Sequence, residues 1–157
     1  MQALVNRGPA ISVYEYWNLN KRKRAAQKAY LKKWQAIRDP ETVREVDVLL
    51  TPVMPHAAVP HRSCKWVGYT KVWNLLDYTA LVIPAGRVDK NIDPPKTDLV
   101  VASHMPRNEL DNWNWSLYDP ELANSMPVGI QIVGRRLEEE KVLGAAAVVE
   151  AALGKSQ

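Results

Sequence analysis

The side chains able to do chemistry are few and scattered. His56, His61 and Cys64 lie close together, and His104 lies farther on. Neutral imidazole and thiolate are good zinc ligands. The pattern H-x4-H-x2-C matches no strong metal-site spacing, and Pro52, Pro55 and Pro60 stiffen the segment that carries it. Neither a metal site nor a Cys–His nucleophile pair is expected. The serines, Ser12, Ser63, Ser103, Ser116, Ser125 and Ser156, stand singly, with no G-x-S-x-G elbow and no H-E-x-x-H. The residues by themselves therefore offer no nucleophile–base pair. Gly129 and Gly134 imitate the glycine spacing of a phosphate loop, which needs Lys and then Ser or Thr after the second glycine. Here the interval Ile130-Gln131-Ile132-Val133 is mostly apolar and Arg135-Arg136 follow, which reads as a strand with glycines at its edges. Asn114-Trp115-Ser116 is a formal glycosylation sequon, but without a secretory signal no modification is expected. Lys21-Arg22-Lys23-Arg24 could meet phosphates. It sits on a helix whose other face is apolar, without a nucleic-acid module, and reads as a solvated face.

Composition sets the outer limits. A chain of 157 residues is about one ordinary domain. With 46% apolar and 24% charged residues it falls in the globular range rather than the disordered one. One cysteine, Cys64, excludes an internal disulfide framework and a cysteine-rich zinc module. No apolar run approaches the roughly 18 residues of a membrane-spanning helix. The opening MQALVNRGPA lacks the pattern of a signal peptide. A cytoplasmic protein with no nucleic-acid or membrane partner and no cofactor is the expectation. There are six Trp and six Tyr but no Phe, so every aromatic carries a polar handle suited to pocket walls and half-buried surfaces. Net charge is +4, with the excess gathered over residues 21–38 and an acidic lean over residues 89–121.

The elements that position these groups follow from pattern. Ser12-Val13-Tyr14-Glu15 matches a capping box. Ala26, Tyr30, Trp34 and Ile37 keep a helical stripe, and Asp39-Pro40 closes it, predicting one helix over about 13–38. Val46 to Thr51 is a short apolar run that reads as a strand buried on both faces. A proline-rich loop follows. Tyr69 to Tyr78 suits a short buried helix, and Ala80 to Pro84 a second strand. Residues 87–127 read mostly as loop, with Pro94-Pro95 and a Trp113-Asn114-Trp115 knot. A loop of that length is functional or disordered in most compact domains. A third strand is expected over 127–133 and a terminal helix over about 138–153, with acids in its first turn and Gly154 at its end. Strands alternating with helices indicate an α/β fold.

Several segments together resemble one family. Val48-Leu49-Leu50-Thr51-Pro52-Val53-Met54-Pro55 is similar to the strand-plus-proline segment near the C-terminal end of amidase signature enzymes. Tyr69-Thr70 with Trp73-Asn74-Leu75-Leu76-Asp77-Tyr78, and the run to Pro84, resemble the helix and strand that follow it. Ser116 to Pro120, Pro127 to Arg136 and Glu139 to Leu143 resemble the closing strand and final helix. The combination is nearest to the acetamidase-like and general amidases of fungi, whose preceding helix is similar to Ile11 to Trp34. Thr79 departs from that subgroup, which commonly has proline after the Asp-Tyr pair. The likeness runs in order along almost the whole chain.

The resemblance implies the C-terminal part of a mixed sheet flanked by helices, an incomplete domain of a protein several times longer. It implies hydrolysis of carboxylic amides by a Ser–cis-Ser–Lys triad on a Gly/Ser-rich loop. No Gly-Ser-Ser-Gly-Gly stretch is present here, so none of the triad carries over to any position. The expectation is a fragment, inactive alone, with Met1 marking where the chain was cut. The alternative is a non-catalytic module that pairs with an amidase, or with itself, through exposed sheet edges. A small amide is the expected ligand only of a complete enzyme. The substrate-pocket candidates are Trp73, Asn74, Asp77 and Tyr78. Each also has a packing reading: Trp73 and Tyr78 as half-buried anchors, Asn74 and Asp77 as caps of the short helix.

Overall fold

The computed structural model describes residues 8–93 and 104–154. Helix α1 spans Val13–Ala36 and opens on the capping box: Glu15 N–H donates to Ser12 Oγ (3.2 Å) while Ser12 N–H donates to Glu15 Oε2 (2.8 Å). Its buried stripe differs from the one expected. Lys23, Gln27, Tyr30 and Trp34 face the body, whereas Ala26 is exposed and Ile37 lies beyond the helix end, 55% exposed. The docking is aromatic and polar rather than aliphatic. Trp34 Nε1 donates to Val46 O (3.0 Å), and Gln27 Nε2 donates to Leu75 O (3.1 Å). The first turns of α1, with Val13, Tyr14, Tyr16 and Trp17, are exposed.

Strand β1 (Leu49–Pro52), strand β2 (Ala80–Arg87) and strand β3 (Pro127–Val133) form an antiparallel sheet in the order β1-β3-β2. Leu50, Ile132 and Leu81 lie opposite one another across it, as do Thr51, Gln131 and Val82. β1 is shorter than expected and is not buried on both faces. Within the described sheet it lies at an edge, alternates half-buried with exposed, and leaves Leu50 52% exposed. β2 runs on past Pro84 because its pairing with β3 resumes after an irregularity between Pro84 and Gly86.

Helix α2 spans Gly68–Leu76 and stops at Asp77, which takes a left-handed conformation (φ 62°, ψ 43°) and turns the chain into β2. The stretch expected to be mostly loop holds two more helices. Helix α3 (Glu109–Ser116) is capped by Asn108, whose Oδ1 accepts from Asp111 N–H (2.9 Å). The single turn α4 (Pro120–Ala123) is capped by Asp119 and begins with proline, whose missing N–H costs nothing at that place. Helix α5 spans Glu139–Gly154.

Period-two alternation sends the two faces of the sheet to different partners. One face buries Ile83 and Ile132 against Val142 and Ala146 of α5. The other buries Val133 against Trp73 and Leu76 of α2, with Tyr30 of α1 behind them. Gly134 permits the first contact, since a Cβ there would come within 2.5 Å of Val142 Cγ2. Arg135 then joins the ends. It pairs with Glu138 (2.8 Å) and with Glu45 (3.0 Å), tying the start of α5 to the segment before β1.

Candidate functional site

α2 covers its face of the sheet along Val133 and Gln131. Beyond it, Val82 and Gly129 floor a cleft of about 460 Å³ whose walls are Val53, Met54, Pro55 and His56. Gly129 matters here: a Cβ would press within 3.1 Å of Val53 Cγ2 and 3.2 Å of Val82 Cγ1. Burial holds the His56 imidazole below its ordinary pKa, so its neutral form is favoured. Both ring nitrogens are buried without a hydrogen-bond partner among the described residues. The ring stands edge-on to Trp113 of α3 (centroids 6.2 Å apart), and Lys65 Nζ lies 5.3 Å from the centre of the same Trp113 ring.

A second cleft, of about 340 Å³, shares Pro55 with the first and lies between α2 and α3. Trp66, Tyr69 and Trp115 line it, together with Asp111 and Asn114. Trp66 and Tyr69 meet edge to face at 4.9 Å. Trp66 lies so close over the first residue of α2 that any Cβ at Gly68 would strike the indole. Asn114 Oδ1 is buried and has no partner among the described residues. The Asp111 carboxylate is held below the usual carboxylate range, first by Arg107 N–H (2.9 Å) and then by the Arg107 guanidinium. His104 stacks on Trp115 at 4.0 Å and brings Nε2 within 3.9 Å of Asp111.

One buried amide couples the two clefts to the sheet. Gln131, only 2% exposed, donates from Nε2 to Thr51 Oγ1 (3.0 Å) and to Tyr69 O (3.2 Å). It thereby fixes the end of β1, from which the loop carrying His56 departs, and the first turn of α2, which carries Tyr69.

The four residues singled out from the sequence lie outside these two clefts. Trp73, 7% exposed, and Tyr78 stack on each other (6.3 Å) and pack edge-on with Tyr30, while Trp34 packs on Tyr78. Trp73 Nε1 and Tyr78 OH are buried without a partner among the described residues. Asn74 donates to Thr70 O within its own helix (3.3 Å), and Asp77 pairs with Arg136 (2.8 Å) at the corner after α2. Tyr78 also borders a third cleft, of about 510 Å³, with Arg135 and Arg136. Of the groups weighed for metal chemistry, Cys64 donates to Trp66 O (3.6 Å), and His61 is exposed. Among the described residues no three His, Cys, Asp or Glu side chains come together as a metal site would need. The cleft residues come from five separate stretches; the sequence marks His56 as a chemical group and Trp113-Asn114-Trp115 as an aromatic knot, but nothing local tells that these stretches meet.

The chain is an α/β unit that puts an aromatic cleft beside an antiparallel sheet. The family model named Amidase matches residues 5–143, and the chain belongs to that family. It is 58% identical over 142 residues to "Amidase 2" of Gibberella moniliformis, covering 90% of this chain and 27% of that protein. It is 37% identical over 145 residues to "Acetamidase" of Emericella nidulans, covering 92% of this chain and 25% of that one. The solved structure of a "Fatty acid amide hydrolase" superposes with a TM-score of 0.78 at 26% identity, over 92% of this chain and 24% of that one. The chain thus has the amidase-signature α/β architecture and spans about a quarter of the length of the relatives it matches. Among the described residues no helix is long and apolar enough to cross a membrane.

Proposed function

We propose that this chain is the C-terminal, pocket-forming part of a cytoplasmic, acetamidase-like amidase, and that it does not hydrolyse amides by itself. The observation that carries this reading is the family match along residues 5–143 of a chain that covers only a quarter of its relatives. Amide hydrolysis needs a nucleophile, a base to take its proton and donors aimed at the developing oxyanion. The six serines of this sequence stand singly, without the Gly/Ser-rich loop that bears the family's Ser–cis-Ser–Lys triad. What the geometry does supply is walls: apolar residues around His56 in one cleft, indoles and a phenol in the other. These can hold and orient an amide that a nucleophile from elsewhere in the larger fold would attack.

A second reading is favoured by the sheet. Among the described strands β1 and β2 each have one hydrogen-bonded neighbour, so both present an open edge able to pair with another chain. A module that pairs with an amidase, or with itself, would use those edges.

Ammonia release from acetamide and phenylacetamide by the purified chain tests the first reading. The expected result is none above the uncatalysed background. Turnover that vanishes on replacing one serine, Ser63→Ala or Ser116→Ala, would overturn it. Sedimentation of the same preparation tests the second reading, which a monomer at all concentrations would remove.

A further inference from the structure

We propose that the cleft between α2 and α3 takes an aromatic carboxamide, its ring against Trp66 and Trp115 and its amide N–H donated to Asn114 Oδ1. This substrate class rests on the amidase reading and narrows it.

Three features of the cleft select that chemistry. The first is its walls. Trp66, Tyr69 and Trp115 give it aromatic walls, and a volume of about 340 Å³ suits one small ring with a short polar arm. Acetamide would leave those walls uncovered. The indole of Trp66 is held in place by the missing side chain at Gly68 and by its edge-to-face contact with Tyr69. That wall is set before a ligand arrives, which lowers the ordering cost of binding.

The second feature is the acceptor. Asn114 Oδ1 has left water and has gained no donor among the described residues. A carboxamide brings two N–H donors, and one of them satisfies it. The third is charge. The Asp111 carboxylate lines the same cleft and is kept ionised by Arg107 N–H and the Arg107 guanidinium. The facing ring of His104 is already stacked on Trp115. The Arg107 guanidinium lines the cleft as well and pairs with Asp111 (3.4 Å), so neither charge there stands alone; what separates amide from acid is the N–H, which a carboxylate lacks and Asn114 Oδ1 needs. The cleft therefore discriminates amide from acid through the Asn114 acceptor.

The test is an NMR titration of the whole chain, following the indole N–H resonances assigned by single Trp→Phe variants. Phenylacetamide should shift Trp66 and Trp115 saturably and leave Trp17, which is exposed on the start of α1 and not part of the cleft, unmoved. Phenylacetate should bind about tenfold more weakly, and acetamide should leave both indoles unshifted. Asn114→Leu should weaken phenylacetamide about fivefold, the effect of one neutral hydrogen bond. Asn114→Asp keeps an acceptor and should retain amide binding while weakening phenylacetate further. α3 buries no residue fully, so both variants keep the helix, which far-ultraviolet circular dichroism checks. Equal affinity for amide and acid, shifts spread over all six tryptophans, or unchanged affinity in Asn114→Leu would each overturn the assignment. Binding as expected without hydrolysis in a reassembled amidase would remove the functional reading and leave this cleft standing. Hydrolysis in the reassembled enzyme with no aromatic amide bound here would remove the cleft alone.

Discussion

Replacing Gln131 by leucine removes the amide that joins three elements while keeping the side chain's bulk. Its Nε2 donates to Thr51 Oγ1 at 3.0 Å and to Tyr69 O at 3.2 Å, in a place where only 2% of the residue meets solvent. Two neutral hydrogen bonds contribute about 1 kcal/mol each. Leucine recovers about 0.5 kcal/mol of that through its more favourable burial. The net expected loss is about 1.5 kcal/mol. With a urea slope of about 2 kcal/mol per M, the unfolding midpoint falls by roughly 0.7 M, with the slope itself unchanged. A double-mutant cycle with Thr51→Val isolates one of the two bonds and should give a coupling near 1 kcal/mol. Gln131→Leu should also weaken phenylacetamide binding, because the first turn of α2 carries Tyr69 into the aromatic cleft. A midpoint unchanged within about 0.2 M, with no coupling to Thr51, would refute the idea that this amide fastens β1, β3 and α2 together.

Three further outcomes follow from the same structure. Glu138 is held below its ordinary pKa first by the Arg135 guanidinium and then by Arg135 N–H. The stability it confers is therefore complete above the ordinary value of 4.5 and is lost as pH falls towards the folded-state value, so Glu138→Gln should flatten the acid limb of a stability–pH curve. His56 is depressed by burial, so its neutral form stabilises the fold above the ordinary value of 6.5 and that contribution is lost as pH falls below it. His56→Leu should remove the fall in thermal midpoint between about pH 7 and pH 5, and an unchanged fall would count against a desolvated imidazole in that cleft. Gly134→Ala would drive a methyl within 2.5 Å of Val142 Cγ2, and should cost about 2 kcal/mol in urea unfolding unless α5 shifts.

Local signals were readable from the residues, and distant ones were not. The capping box at Ser12 and Glu15 involves neighbours three apart, so it can be read without knowing the fold. The α/β class follows from alternating patterns. α3 is hidden in the sequence because Trp113, Asn112 and Asn114 are weak helix formers, although Asn108 and Asp111 form its cap. The buried stripe of α1 does not coincide with its apolar residues. Gln27 replaces Ala26 because its amide finds Leu75 O, a partner 48 residues away. β1 read as doubly buried because its apolar run carries no mark of an edge. For the site, the sequence pointed to Trp73, Asn74, Asp77 and Tyr78. The structure sets Trp73 and Tyr78 among Tyr30 and Trp34, through contacts that depend on where α1 docks. The cleft of Trp66, Tyr69 and Trp115 draws on segments that meet only in the folded chain.

The central claim, that this chain forms the substrate walls of an amidase whose chemistry resides outside it, is tested most directly by a chimera. The matching quarter of Amidase 2 from Gibberella moniliformis is replaced by this chain, which is 58% identical to it over 142 residues, and ammonia release is measured. The account predicts that the chimera hydrolyses an amide while the isolated chain does not. A folded chimera that releases no ammonia, or an isolated chain that releases it with one of its own serines essential, would contradict the account.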